Sequence, residues 1–250
     1  MEITSIHNAN VKAWMKLKEK KGRDKARQFI VEGRHLIEEA YRANCLRCLI
    51  LLKGIAYRKT KFPVYEVSEE IIRKLTSLTS KETMLGICDF PKQTIQKKER
   101  LILLDDVQDP GNLGTIIRTA ISFGYDALLM TKGCADVFNE KVIRSTQGGI
   151  FHLPILRDDI DSLIQFCKQE DVCMYATSLH QAKHLHEVKV SKPYVLVFGN
   201  EGSGVGKQVL ASCDETIKIP MEQFESLNVA VAAGICMYAF RYGPYIGDLN

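Results

Sequence analysis

Short apolar runs alternate along the chain with segments whose apolar positions recur every three or four residues, the pattern of strands alternating with helices. In the first third, QFIVE (28–32), LRCLILL (46–52), PVYEV (63–67) and MLGICDF (84–90) are predicted strands. Between them, Asn8 or Asn10 can cap a basic helix reaching about Lys20. Leu36, Ile37 and Ala40 mark a helix over 34–43, and Ser68 opens another. After a polar stretch, PKQTIQKKER (91–100), the alternation strengthens. LILLDDV (101–107), YDALLMT (125–131), CMYATSL (173–179), YVLVFG (194–199) and ETIKIPM (215–221) read as strands. Helical spacing falls over 112–124 (Leu113, Ile116, Ile117, Ala120, Ile121), over 158–169 (Ile160, Leu163, Ile164, Cys167) and over 227–240. The expected fold class is α/β, with a parallel sheet covered on both faces and ligands received where its strands end in loops.

Pro91 and the polar residues after it predict a boundary. The expected organisation is a small α/β domain over 1–92, a linker over 93–99 and a larger domain over 100–250. Charge divides in the same place. The overall formal charge is +4, but residues 1–98 hold 21 Lys and Arg against 11 Asp and Glu, leaving the remainder net acidic. A basic front on an acidic body points to a polyanionic partner, most simply nucleic acid. The densest basic stretch runs from Lys12 to Arg27, and Lys12, Lys16, Lys20, Lys21 and Arg23 are its candidate phosphate contacts. With 46% apolar and 26% charged residues the chain is of ordinary globular composition. No apolar run approaches the roughly 20 residues of a bilayer span, and the first residues lack a secretory signal, so a cytoplasmic protein is expected.

Eight cysteines are too few and too scattered for a disulfide framework. Cys45 and Cys48 have the spacing of a redox or zinc motif but lack a second pair, and read as residues of a buried strand. His180, His184 and His186 lie among Gln181, Lys183, Glu187 and Lys189, which marks a solvated segment in preference to a metal site. No metal is expected.

Three loops after predicted strands combine glycine or proline with reactive polar side chains: DPGNLGTIIR (109–118), FGNEGSGVG (198–206) and IPMEQFESLN (219–228). The second is not a nucleotide P-loop. Glu201 would set a carboxylate against the phosphates, and Gln208 stands where a Mg²⁺-binding hydroxyl is needed. Gly202, Gly204 and Gly206 also miss the spacing of a dinucleotide fingerprint.

Taken in register, Asn112 to Arg118, FGNEGSG (198–204) and IPM…SLNVAVA (219–232) resemble the SPOUT superfamily of RNA methyltransferases, in its SpoU (TrmH-like) branch of ribose 2'-O-methylases. The resemblance covers about residues 100 to 242, and more loosely the preceding domain is similar to the small RNA-binding domain of several members. It implies S-adenosylmethionine as methyl donor, a carboxyl-terminal trefoil knot and a homodimer that buries part of the apolar last helix. It also implies donor contacts at Gly199, Ile219 and Leu227, and a catalytic Arg118 acting as base or as a clamp on phosphate or alkoxide. By the same resemblance Asn112, Glu201, Ser226 and Asn228 orient the reactants, Glu201 being the expected ion partner of Arg118, and Arg144 faces substrate RNA. Ribosomal RNA is the expected substrate, with transfer RNA as the alternative. One departure stands out: only Glu222, Gln223, Phe224 and Glu225 separate IPM from SLN, without the glycine usual in the family. A non-catalytic RNA-binding or assembly protein that keeps the fold is the rival reading.

Overall fold

The basic amino-terminal segment folds as two helices because its chain must turn at residues 17–19. The computed structural model describes all residues except 58–60, 77–81, 93, 180, 224–225 and 244–250. After a short strand β1 (Glu2–Ile3), α1 (Ala9–Lys16) is capped by Asn8, whose side chain accepts from Asn10 N. Helix α2 (Lys20–Ala26) follows, so the single helix expected through Lys20 is interrupted. Gly22 permits the turn, since a Cβ there would meet the Lys16 carbonyl oxygen at 1.8 Å. Arg23 fastens it. Its buried guanidinium donates to Leu17 O at 2.9 Å and Lys18 O at 2.8 Å, satisfying carbonyls freed at the end of α1. Arg23 is therefore a structural residue and not the phosphate contact expected of it, whereas Lys12, Lys16, Lys20 and Lys21 are exposed. Arg23→Ala should cost about 3 kcal/mol in urea unfolding, the scale of two charge-assisted bonds lost from a buried site.

The first unit continues through β2 (Gln28–Glu32), α3 (Arg34–Arg42), β3 (Leu46–Leu52), β4 (Val64–Val67), α4 (Glu69–Leu75) and β5 (Met84–Asp89). Its five strands lie in the order β1-β4-β3-β5-β2, with β5 antiparallel to both its neighbours. Trp14, Ile50, Ile71, Leu85 and Ile87 belong to its core. Cys45 precedes β3 and Cys48 stands within it, both reduced and buried. Burial pushes the Cys48 thiol up to about 11 and those of Cys167, Cys213 and Cys236 up to about 12, so these side chains behave as small apolar residues.

The second unit begins with β6 (Arg100–Leu104), α5 (Pro110–Ser122) and β7 (Ala127–Thr131). Along the chain follow α6 (Glu140–Thr146), which belongs with the first unit, and then β8 (Ile155–Asp158), α7 (Ile160–Gln169), β9 (Cys173–Thr177) and β10 (Lys183–His184) of the second. The chain ends through β11 (Tyr194–Phe198), α8 (Lys207–Leu210), β12 (Glu215–Lys218) and α9 (Val229–Tyr242). Contacts divide the chain into Met1–Lys92 with Phe138–His152, and Gln93–Val137 with Leu153–Asn250. The excursion 138–152, which holds α6 and Arg144, thus packs with the first unit. Phe138 stacks on Phe90 at 3.7 Å between centroids, and His152 Nε2 lies 2.7 Å from Glu39 Oε2. Residues 94–99, expected as linker, form neither helix nor strand.

Seven parallel strands in the order β10-β12-β9-β11-β6-β7-β8 form the sheet of the second unit. From β6 the chain builds outward through β7 and β8, then returns to lay β9, β11 and β12 on the other side. The order therefore reverses between β6 and β11, which opens a crevice at their carboxyl ends. Among the described residues, no helix is long and apolar enough to cross a membrane.

Candidate functional site

Both loops at this reversal carry singled-out motifs. The chain leaves β6 through Asp105 and Asp106, and Asp109 caps α5 by accepting from Asn112 N at 2.8 Å. Pro110 occupies the first helical turn, where a missing N–H costs nothing. The helix thus starts two residues earlier than its apolar spacing predicted. Across the crevice, the loop after β11 folds back on itself through paired Asn200 and Gly204 backbones. The Asn200 side chain accepts from Gly202 N and Ser203 N and donates from Nδ2 to Asp106 O at 2.9 Å, tying the two loops together. Asp105 Oδ2 accepts from Gly206 N at 2.8 Å and adds a second tie. Burial, with Asp106 beside it, raises the Asp105 carboxyl above its ordinary value. Asp105 and Asn200 add to the residues expected at this site; their signals in the chain are an acid at a strand end and an Asn before Glu in a glycine-rich turn.

Glu201 is held by donors alone. Gln108 N reaches Oε2 at 3.2 Å, while Asp109 N at 3.1 Å and Asn112 Nδ2 at 3.0 Å reach Oε1. Burial alone would raise its carboxyl, but these bonds outweigh it and hold the group below the usual carboxylate range. A depressed folded value means that this stabilisation is present above the ordinary carboxylate pKa and disappears as pH falls through the lower one.

The Asn112 amide oxygen accepts from Asn228 Nδ2 at 2.9 Å, and Asn228 Oδ1 accepts from Ala230 N at 2.9 Å as the cap of α9. The chain of bonds has one sense. Helix N–H groups fix the Asn228 oxygen, which aims its NH₂ at Asn112 and so aims the Asn112 NH₂ at Glu201. Three loops distant in sequence are joined by side chains whose donors converge on Glu201 and favour its ionised form. The short turn between IPM and SLN still delivers Asn228 to Asn112.

The remaining residues fall differently. Arg118 is exposed on α5 and, among the described residues, forms no ion pair, so its expected pairing with Glu201 is replaced by Asn112 and two backbone groups. Six positions separate Asn112 from Arg118, placing them about 120° apart around the helix. Ser226 is exposed and Ile219 half-buried just beyond β12, while Leu227 is 39% exposed beside Asn228. Both aliphatic side chains thus keep part of their surface uncovered.

Gly199 is glycine for an internal reason. A Cβ there would meet Gly204 C at 2.1 Å and Val205 N at 2.2 Å, so the returning turn itself excludes any side chain. Even Gly199→Ala should therefore open the 199–205 turn, lowering the melting temperature and donor binding together. His184 and His186 stack at 5.4 Å between ring centroids, and His180 lies outside the described residues. Among the described residues, no group of three or more His, Cys, Asp and Glu is placed to hold a metal ion.

Residues 99–238 match the profile of the SpoU rRNA Methylase family, and residues 8–86 that of the MRM3-like substrate binding domain. The chain is 38% identical over 249 residues to the 23S rRNA (guanosine(2553)-2'-O)-methyltransferase RlmP of Bacillus subtilis, covering 96% of this chain and 99% of that protein. The AdoMet-bound rRNA methyltransferase of Sinorhizobium meliloti matches at 30% identity and a TM-score of 0.85, over 96% of this chain and 97% of the other. The SpoU methyltransferase AviRb of Streptomyces viridochromogenes, at 24% identity and a TM-score of 0.85 over 93% and 96% of the two chains, shares the fold.

Proposed function

The chain belongs to the SpoU rRNA methylase family, and from that membership we propose that it transfers a methyl group from S-adenosylmethionine to a ribose 2'-hydroxyl of ribosomal RNA. The observation that carries this reading is the one-way bond chain Asn228–Asn112–Glu201, which unites the three motif loops at the sheet reversal. Ribosomal RNA is favoured over transfer RNA by the Bacillus subtilis and Sinorhizobium meliloti relatives, both named for rRNA and both matching across both units.

The bound donor supplies a methyl group already activated by a sulfonium. Ile219, Leu227 and the backbone of the turn that Gly199 permits are the groups that would hold the donor. Positioning is the main task left to the protein, because an attacking hydroxyl held in line gains the advantage of an intramolecular reaction. Glu201, with its lowered pKa and its oxygens turned to three donors, is a poor proton acceptor and serves as the anchor of the loop. Arg118 has its charge unspent. A guanidinium stays protonated at neutral pH, so its role is to clamp the phosphate or the developing alkoxide. Asn112 and Ser226 orient the nucleotide, and exposed Lys12, Lys16, Lys20 and Lys21 meet the RNA backbone with Arg144.

A cytoplasmic homodimer with a knotted carboxyl-terminal region completes the proposal. For the dimer, α9 buries Ala233, Cys236, Met237 and Phe240 but leaves Val231, Ile235, Tyr238 and Tyr242 exposed along one face. A contiguous apolar helix face of this kind marks a protein contact. Tyr238→Glu should shift the protein from dimer to monomer in sedimentation; an unchanged dimer would place the contact elsewhere. Calorimetry separates the enzyme from a non-catalytic RNA-binding relative. S-adenosylmethionine should bind at one site per chain, whereas a folded protein that ignores the donor would refute the reading.

A further inference from the structure

The outer face of α3 carries a feature that neither the core nor the methyl-transfer site uses. Helix α3 buries Leu36, Ile37 and Ala40, and Tyr41, one turn beyond Ile37 at the margin of that stripe, is 51% exposed. Its ring is packed against neighbours nonetheless. Phe62 meets it edge to face at 5.7 Å between centroids and 89° between planes. Lys61 Nζ lies 5.8 Å from the centroid of Tyr41 and 5.5 Å from that of Phe62. Among the described residues Lys61 forms no ion pair, while Arg34 and Arg42 on the same helix are matched by Glu38 and Glu39. The patch therefore combines a half-exposed tyrosine ring, a second ring packed edge to face with it, and a cation that lies over both rings and has no carboxylate partner among the described residues.

We propose that Tyr41 is a stacking platform for an unpaired base of the substrate RNA, with Lys61 taking the adjoining phosphate. The inference rests on the reading of the protein as an RNA methyltransferase and adds where its first unit grips a single-stranded part of the substrate. An aromatic face held rigid and beside a free cation is the chemistry that binds unstacked nucleotides, whose bases all present a π-face and whose backbone is anionic. A tyrosine there to complete the core would be covered. A purely electrostatic surface would need no ring.

The test is the affinity of the full chain for a ribosomal RNA fragment that the parent protein methylates, at several salt concentrations. Tyr41→Ala should weaken binding about tenfold, within the range of stacking losses on alanine substitution. Tyr41→Phe should retain parental affinity, and Tyr41→Leu, which keeps apolar bulk without a π-face, should behave like alanine. Lys61→Ala should weaken binding and lower the slope of log affinity against log salt by about 1, while Tyr41→Ala leaves the slope unchanged. Donor affinity should be parental in every variant. A folded Tyr41→Ala protein with parental RNA affinity would overturn the inference, while leaving methyl transfer by the parent standing. Conversely, a parent that binds RNA but never methylates it would defeat the functional reading without touching the platform.

Discussion

Arg118→Ala is expected to cut methyl transfer by about 10²-fold or more while leaving donor affinity within a few fold, the scale of a positioned electrostatic contribution to a transition state. The structure sharpens this expectation. If Arg118 were paired with Glu201, its removal would strand a carboxylate and damage folding and donor binding together. It is exposed, and Glu201 already has three other donors, so the cation has no carboxylate partner among the described residues. The melting temperature of Arg118→Ala should accordingly stay near that of the parent. Lysine at this position tests geometry, because it restores charge without the planar fork. Recovery by Arg118→Lys would favour simple charge stabilisation, and continued loss would favour a two-point clamp on phosphate or alkoxide.

Asn112→Asp should damage what Arg118→Ala spares, donor binding and stability, despite its near-identical shape. The second oxygen would face Glu201 Oε1, now 3.0 Å from the Asn112 amide nitrogen, where two carboxylates cannot both remain ionised. The other would still receive the Asn228 amide, so the conflict has no rotameric escape. We expect donor affinity to fall at least tenfold, corresponding to about 1.4 kcal/mol or more, alongside a lower melting temperature. Lowering the pH toward the carboxylate range should partly restore binding in Asn112→Asp, since a shared proton relieves the repulsion, whereas the parent loses stability in the same direction. Parental donor affinity in this variant at neutral pH would show that the three loops do not act as one unit.

Local pattern carried much of this architecture. Strand and helix spacing exposed the α/β alternation, and the parallel sheet followed from it because successive strands separated by helices must cross over in one direction. The three motif loops were legible for the same reason: each is a short stretch whose glycine, proline and polar residues sit together in the chain. What escaped was set by rotation and by distant partners. Nothing in the spacing of Asn112 and Arg118 tells which of them faces a loop from a much later strand. Arg23 looked like one more cation of a solvated helix until the break after α1 gave it carbonyls to satisfy. The segment 138–152 packs with the first unit because Phe138 finds Phe90 there and His152 finds Glu39, contacts with no local signature. Gly199 suggested close approach by a ligand, but the approaching atoms belong to Gly204 and Val205.

The most direct test supplies the purified chain with methyl-labelled S-adenosylmethionine and ribosomal RNA from cells that lack its gene. The RNA is then digested to nucleosides, and the labelled species is identified by chromatography and mass spectrometry. The account predicts label in a single 2'-O-methylated nucleoside, its incorporation depressed by Arg118→Ala and absent from RNA already modified by the parent protein in cells. Label on a base, or none at all from a folded protein that binds the donor, would contradict it.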